Sequence, residues 1–253
     1  MQSLSILIVN YNTEPFIADF LTDIANQTIN KDLIEVIIVN NVQNDIIKTT
    51  VKNHPTFNNI KIKIIQSITN IGFGRAMNLA AKAANNDLLL IANPDLKMLH
   101  NNYLDELIHQ HKIKAPNGIS TTKQLNEFGA DTSEYKQYEY GINLGYRDQI
   151  NWFCGALLLI SKDIFLILKG FDPDFFMYCE DEDLCLRAKK LNLPLNKLNN
   201  LEIFHKGGSS EPFKDFAFYQ RWEKSKLLFA YKHYDSETFT LITKKLEKKS
   251  KFK

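Results

Sequence analysis

The sequence predicts an α/β fold in which a mostly parallel central sheet is flanked by helices. Three observations predict it. Short apolar runs rich in Ile and Val recur through the first ninety residues. Segments of helical composition separate them, and a polar cluster follows three of the four runs directly. Continuous apolar runs suit strands buried on both faces, and their alternation with helices implies βαβ units with right-handed crossovers.

In order, the runs are 4–9 (LSILIV), 35–39 (EVIIV), 60–65 and 88–91, and the helical segments between them are 16–26, 45–53 and 74–84. The last is rich in Ala, Leu and Met, which are strong helix formers. From 115 to 150 the pattern dissolves into Gly, Thr, Tyr and Asn, which predicts loops and short strands. Order returns with one strand over 152–160 (WFCGALLLI), then a helix from Ser161 and another from about Glu180, ending before Pro194. The stretch 213–234 reads as an aromatic-rich helix. With no internal repeat or linker, the simplest organisation is a single domain over 1–235 with a C-terminal helical elaboration. A basic tail follows over 236–253.

The composition narrows the function. A chain of 253 residues, 44% hydrophobic and 24% charged, is long enough for one large core. A net charge of +2 makes no field that would gather nucleic acid, so no nucleic-acid partner is expected. Cys154, Cys179 and Cys185 lack the spacing of a disulfide framework or a zinc site and read as free thiols. The N-terminus has no basic region or cleavage site, and no stretch approaches the ~20 apolar residues that cross a bilayer. The expected location is the cytoplasm.

Ligands of open α/β sheets bind beyond the carboxyl ends of the strands, where Asn10-Tyr11-Asn12, Asn40-Asn41 and Asn93-Pro94-Asp95 fall. The densest chemistry lies in 170–187, GFDPDFFMYCEDEDLCLR, where four acids, Glu180 to Asp183, follow an aromatic stretch and open a helix. Acids at a helix start are favoured by its dipole, and Asp183 can pair with Arg187 one turn on. Yet adjacent carboxylates repel one another, and a desolvated one is tuned to act as a base. Asn93-Pro94-Asp95 is a common turn, but Asp95 also offers hard oxygen to a divalent cation. His205 precedes Lys206-Gly207-Gly208-Ser209-Ser210, a composition able to wrap phosphate. Two glycines in 70–78 (NIGFGRAMN) fit a tight turn into a helix, from which Arg75 could reach a phosphate.

Together, in this order and spacing, NYN at 10–12, VIIVNN at 36–41, NIGFGRAMN, NPD at 93–95, the 170–187 block and His205 resemble family 2 glycosyltransferases of the GT-A fold. The resemblance is to the rhamnosyltransferase-like branch. It covers about residues 4–235, and it implies a Rossmann-like nucleotide-binding half (about 1–112) and an acceptor and catalytic half (about 113–235). It also implies roles. Asn10, Tyr11, Asn12, Asn40, Asn70, Arg75, Asn93, Asp95, Gly155 and Lys206 would bind a nucleotide-sugar donor, with Tyr11 against the base and position 40 reading its edge. Asp95 and His205 would hold Mg²⁺ or Mn²⁺. Asp181 would deprotonate the acceptor hydroxyl, supported by Glu180 and Asp183, in a single displacement with inversion. The implied acceptor is a saccharide or lipid-linked saccharide of a bacterial surface polysaccharide such as O-antigen, capsule or lipopolysaccharide. The implied donor is dTDP-rhamnose.

Two positions depart from the family. Asn40 stands where an aspartate is common, and NPD leaves one carboxylate where a DxD motif offers two. These departures also fit a second reading, a catalytically silent nucleotide-sugar-binding partner in a polysaccharide assembly complex. A nucleotidyltransferase would need a glycine-rich loop after the first strand, and VNYNTEP has no glycine. Phe213, Phe216, Phe218, Tyr219 and Trp222 could wall an acceptor site or form core. In the tail, Phe239, Ile242 and Leu246 share a helical face among Lys244, Lys245, Lys248, Lys249, Lys251 and Lys253. Such an end is commonly just solvated, but it suits contact with anionic lipid on the inner face of the cell membrane. The sequence leaves a homo-oligomer open.

Overall fold

A computed structural model describes residues 3–250 apart from Asn143 and Pro212. The first half follows the expected alternation: β1 (Leu4–Asn10), α1 (Glu14–Ala25), β2 (Ile34–Asn40), α2 (Ile46–Asn53), β3 (Lys61–Gln66), α3 (Phe73–Ala83) and β4 (Leu88–Ala92). There follow β5 (Leu96–Met98), α4 (Tyr103–Lys114), β6 (Ile119–Leu125), β7 (Glu134–Tyr135), β8 (Trp152–Phe153) and β9 (Leu157–Ser161). The chain continues through α5 (Lys162–Ile167), α6 (Glu180–Lys190), β10 (Leu195–His205), α7 (Phe216–His233) and α8 (Ser236–Ser250).

Eight strands form one sheet in the order β3-β2-β1-β4-β9-β6-β10-β5, and β7 pairs with β8 in a separate ribbon. Neighbours are parallel except where β9 inserts against β4 and β6 and where β5 runs against β10. The fully buried strands β1, β2 and β4 are the Ile/Val/Leu runs, so their sequences need no polar face. β3 is the exception. It lies at the sheet edge, and its exposed Lys61 and Lys63 discourage pairing with another chain.

Helices cover both faces. α1 starts with a proline in its first turn and buries Ile17, Phe20, Leu21 and Ile24, spaced three and four apart, on one side of the sheet. α3 presents Ala76, Met77, Ala80 and Ala81 to the other side, where small residues let the helix approach closely. Each large apolar side chain contributes roughly 1.5–3 kcal/mol on burial, so Phe20→Ala would cost about 3–5 kcal/mol.

Three features differ from the sequence expectation. The stretch 152–160 is not one strand: it breaks at Cys154–Ala156 into β8 and β9. α4 and β10 fall in stretches to which the sequence assigned no element, and β6 falls in the segment read as loops and short strands, where its polar sequence ISTTKQL forms a largely buried strand. Its hydroxyls are satisfied inside the core: Thr121 donates to the Leu157 carbonyl at 2.6 Å, Thr122 meets Tyr103 Oη at 2.7 Å and Ser120 meets His111 Nδ1 at 2.8 Å. The tail is the third. Phe239, Ile242 and Leu246 do not form a free apolar face, because they pack onto a cluster with Tyr138, Phe229 and Ala230 beneath α7. Lys244 and Lys245 are exposed, while Lys251, Lys253 and the side chains of Lys248 and Lys249 lie outside the described residues. Among the described residues no helix is long and apolar enough to cross a membrane.

Candidate active site

The carboxyl ends of β1 and β4 open onto a cavity of about 490 Å³ whose walls include Tyr11, Asn41, Asn70, Gly72, Asn93, Asp95, Gly155, Glu180 and Asp181. The aromatic stretch before α6 and the Gly208–Glu211 loop close it from the other side.

Strand register sets the first wall. Asn10 and Asn40 are paired ends of β1 and β2, and Asn10 Nδ2 donates to Asn40 Oδ1 at 2.7 Å. Asn40 Nδ2 in turn donates to the Val42 and Asn44 carbonyls and to Gln66 Oε1 at 2.8 Å. Both asparagines are wholly buried and neither lines the cavity, so the Asn40 oxygen expected to meet a base edge is spent on Asn10. Its neighbour Asn41 does line the cavity, and its buried Oδ1 has no partner while Nδ2 holds the Gly72 carbonyl. Asn12 is exposed with φ of 56°, and Arg75 is exposed with Nε on the Pro173 carbonyl; neither faces the cavity. Gly72, at φ 82°, lets the backbone pass against the Phe176 carbonyl, where any Cβ would collide.

The second wall is a long-range pairing. β10 runs antiparallel to β5 so that His205 pairs with Leu96, and the Lys206 N–H continues the ladder to the Asp95 carbonyl. This brings His205 Nε2 to 3.5 Å from Asp95 Oδ1, longer than a good hydrogen bond. Burial pushes the Asp95 carboxyl up, but His205 and Ser209 beside it outweigh that and hold it below its ordinary range. A buried, unpartnered imidazole nitrogen beside an ionised carboxylate fits a divalent cation that favours mixed N and O ligands. Among the described residues no group of three or more His, Cys, Asp or Glu could hold a metal alone. That matches a cation completed by substrate phosphates. Lys206 itself is exposed, with its ammonium 4.6 Å from the Phe16 ring centroid, and it does not line the cavity.

The third wall is the start of α6. Tyr178 and Cys179 take φ of 73° and 64°, uncommon for residues with a Cβ, and turn the aromatic stretch abruptly into the helix. Glu180 and Asp181 then line the cavity. Asp181 Oδ2 accepts the Gly155 N–H at 2.7 Å and Oδ1 accepts the Glu182 N–H at 2.9 Å. The break between β8 and β9 makes this possible, because it frees the Gly155 N–H from any ladder. A Cβ at Gly155 would sit 3.1 Å from Asp181 Cβ, so a larger residue there would have to push the Asp181 side chain aside by a few tenths of an ångström. Burial raises both carboxyls, and the Asp181 charge adds to the effect on Glu180, which is pushed up to about 8. Two backbone N–H groups favour the ionised form of Asp181, whereas Glu180 Oε2 has no partner. Of the two, Glu180 is the one whose charge the site favours less.

Asp183 lies elsewhere. It is buried behind α6, its Oδ2 bound by Arg187 Nη2 at 2.6 Å and its Oδ1 by His233 Nε2 at 2.8 Å. Arg187 also donates to the Leu168 and Gly170 carbonyls. Asp183 thus braces α6 to α7 and to the turn before it, with no surface on the cavity. The sequence reading missed Glu211 and Arg221, which do line the cavity. Glu211 binds both Tyr178 Oη and Arg221 Nη2, tying the loop after β10 to α7. Arg221 lies four residues from Ser225, which α7 buries, a spacing that hints at an inward face.

This sequence and this fold have known counterparts. The sequence model of the family described as Glycosyl transferase family 2 matches residues 5–169. The chain belongs to that family. The rhamnosyltransferase WbbL of Escherichia coli (strain K12) is 28% identical over 161 residues, 53% of this chain and 59% of that protein. The low-salt glycan biosynthesis hexosyltransferase Agl10 of Haloferax volcanii is 23% identical over 224 residues, 81% of this chain and 67% of that protein. Among solved structures, S. aureus TarS superposes with a TM-score of 0.65 at 17% identity, covering 93% of this chain and 41% of that one. The mannosyltransferase PcManGT from Pyrobaculum calidifontis, in complex with GDP-Man and Mn²⁺, gives a TM-score of 0.60 at 16% identity, covering 97% and 80%. The fold is the GT-A arrangement expected from the sequence. The chain spans 59% of WbbL and 41% of the TarS chain.

Proposed function

We propose that this protein is an inverting, cation-assisted glycosyltransferase that moves a hexosyl group from a nucleoside-diphosphate sugar to a saccharide acceptor. The observation that carries the reading is the Asp181 carboxylate, held by two backbone N–H groups on a cavity that Asp95 also lines, with His205 beside Asp95. Residues 1–112 would hold the nucleotide, and residues 113–235 the acceptor and the base. Asp95 and His205 would hold Mg²⁺ or Mn²⁺, which when bound neutralises charge on the diphosphate. Asp181 takes the proton from the acceptor hydroxyl as its oxygen bonds to the anomeric carbon. The anomeric C–O bond to the diphosphate breaks in the same step, so the configuration inverts. Glu180, whose carboxyl is pushed up to about 8 by burial and the Asp181 charge, would add less charge beside the acceptor than Asp181 does. Tyr11, at the cavity mouth and 37% exposed, offers its ring to a base.

Rhamnose from a dTDP donor is the favoured sugar, on the likeness to WbbL, and a lipid-linked acceptor of a surface polysaccharide is the favoured context. The test is donor binding and hydrolysis across UDP-, dTDP- and GDP-sugars with Mg²⁺, Mn²⁺ or EDTA. One donor should be turned over slowly with metal and not with EDTA. Asp181→Asn should keep donor binding while transfer falls about 10²–10⁴-fold. Donor binding without turnover in the wild-type protein would favour the silent-partner reading instead.

A further inference from the structure

The ribbon β7–β8 lies outside the sheet and carries a feature that the donor and cation sites do not use. Tyr135 pairs with Trp152 across the ribbon, and their rings stack face to face, centroids 3.9 Å apart and planes within 9°. One face of each ring is thus satisfied by the other, yet Tyr135 remains 40% exposed. The stack is held rigidly. Trp152 Nε1 donates to the Gln137 carbonyl at 3.1 Å, and Lys197 ties the ribbon to β10 through Asp131 at 2.5 Å and Glu134 at 3.5 Å.

The ribbon leads straight to the base. Phe153 is buried in the core, and the chain leaves the ribbon at Cys154. Cys154 lines the cavity, its N–H is bound to the Ser133 carbonyl, and the next residue, Gly155, holds Asp181. Trp152 is thus three residues from the backbone group that binds Asp181. Burial, followed by the charges of Cys154 and Asp181, pushes the Tyr135 phenol up to about 12, which places that ring within the field of the base.

We propose that the Tyr135–Trp152 stack is an acceptor subsite that takes a sugar ring of the acceptor against the outer face of Tyr135. A pyranose has a face of C–H groups and a rim of hydroxyls. The flat, pre-ordered ring suits the first, and the Asp181 carboxylate, which lines the cavity beyond Cys154, suits the second. A flexible lipid chain has no need of a locked planar stack. The subsite rests on the transferase reading above, and its tests separate the two.

Trp152 and Trp222 are the two tryptophans of the chain, so Trp222→Phe leaves Trp152 as a single reporter. Methyl and octyl glycosides and short disaccharides, added with nucleoside diphosphate and Mn²⁺, should change its emission saturably for at least one saccharide. Tyr135→Ala should abolish that response. In transfer assays with the same saccharide, Tyr135→Ala should raise the acceptor KM about fivefold to tenfold and leave donor hydrolysis unchanged. Tyr135→Phe, which keeps the ring, should restore the wild-type KM. Emission indifferent to every saccharide, or an acceptor KM unmoved in Tyr135→Ala, overturns the subsite. Absence of donor hydrolysis in the wild-type protein would remove the transferase reading and leave the fluorescence result to judge the subsite alone.

Discussion

Replacing Asp183 with asparagine tests whether the third acid of the Glu180–Asp183 run is chemistry or brace. The substitution keeps the shape but removes the charge, and it turns one carboxylate oxygen into a donor facing either Arg187 or His233. Removing one partner of a buried ion pair costs about 3–5 kcal/mol. Arg187 is 24% exposed along its side chain and keeps the Leu168 and Gly170 carbonyls, which puts the loss at about 3 kcal/mol. Against a total stability of roughly 5–15 kcal/mol, that is a large fraction. Urea unfolding followed by tryptophan fluorescence at pH 7 should show the midpoint fall with an unchanged slope. Turnover per folded molecule should stay within about tenfold, since a catalytic carboxylate would cost 10²–10⁴-fold. Burial pushes the Asp183 carboxyl up, but His233 and Arg187 outweigh it and hold it below its ordinary range. The brace is therefore fully present above the unfolded pKa of about 3.9 and is lost as pH falls through the lower folded value. Wild type and Asp183→Asn should converge in acid. An unchanged midpoint with a hundredfold loss of turnover would refute the brace and return Asp183 to the chemistry.

Burial raises the Asp181 carboxyl, so the acid limb of the transfer rate should lie above the ordinary aspartate value of about 3.9; a limb at or below it would count against Asp181 as base. Asn40→Asp, although it restores the common family residue, should destabilise by about 2–3 kcal/mol at pH 7. It would aim a buried carboxylate at the Gln66, Val42 and Asn44 oxygens that Asn40 Nδ2 now binds, and thermal melts should show the deficit growing with pH. Gly72→Ala should cost about 2 kcal/mol, since φ of 82° and the Phe176 carbonyl both oppose a Cβ. A melting temperature equal to wild type would show that the two loops do not meet as described.

The half of the fold that was legible in the sequence is the half whose strands are dominated by Ile, Val and Leu. The buried strand with a polar sequence was not delimited: Ser120, Thr121 and Thr122 fell in a stretch read as loops and short strands because their partners, His111, Leu157 and Tyr103, are not visible in the local pattern. The site divided in the same way. Asp95, Glu180 and Asp181, which meet at the cavity, and His205 beside Asp95 were singled out by their combined order along the chain, since neither Asn93-Pro94-Asp95 nor His205 is distinctive alone. The difference between Asn40 and Asn41 was not, since which of two adjacent amides faces inward depends on strand register with Asn10. Asp183 could be read only as far as its pairing with Arg187; the contact with His233 spans fifty residues.

The break at Cys154–Ala156 has a consequence for how this scaffold can change its substrates. The Ala156 carbonyl accepts the Asn93 N–H at 2.8 Å, on the Asp95 side, while the Gly155 N–H holds Asp181. One short turn thus works as a gauge block between the strand end that carries Asp95 and the Asp181 carboxylate, and under the proposed mechanism it sets the gap that a scissile bond must fit. Loops on either side can be lengthened or exchanged to admit new sugars, because they hang from this spacer without defining it. A single residue inserted into the turn would misalign both carboxylates together, whatever sugar was bound.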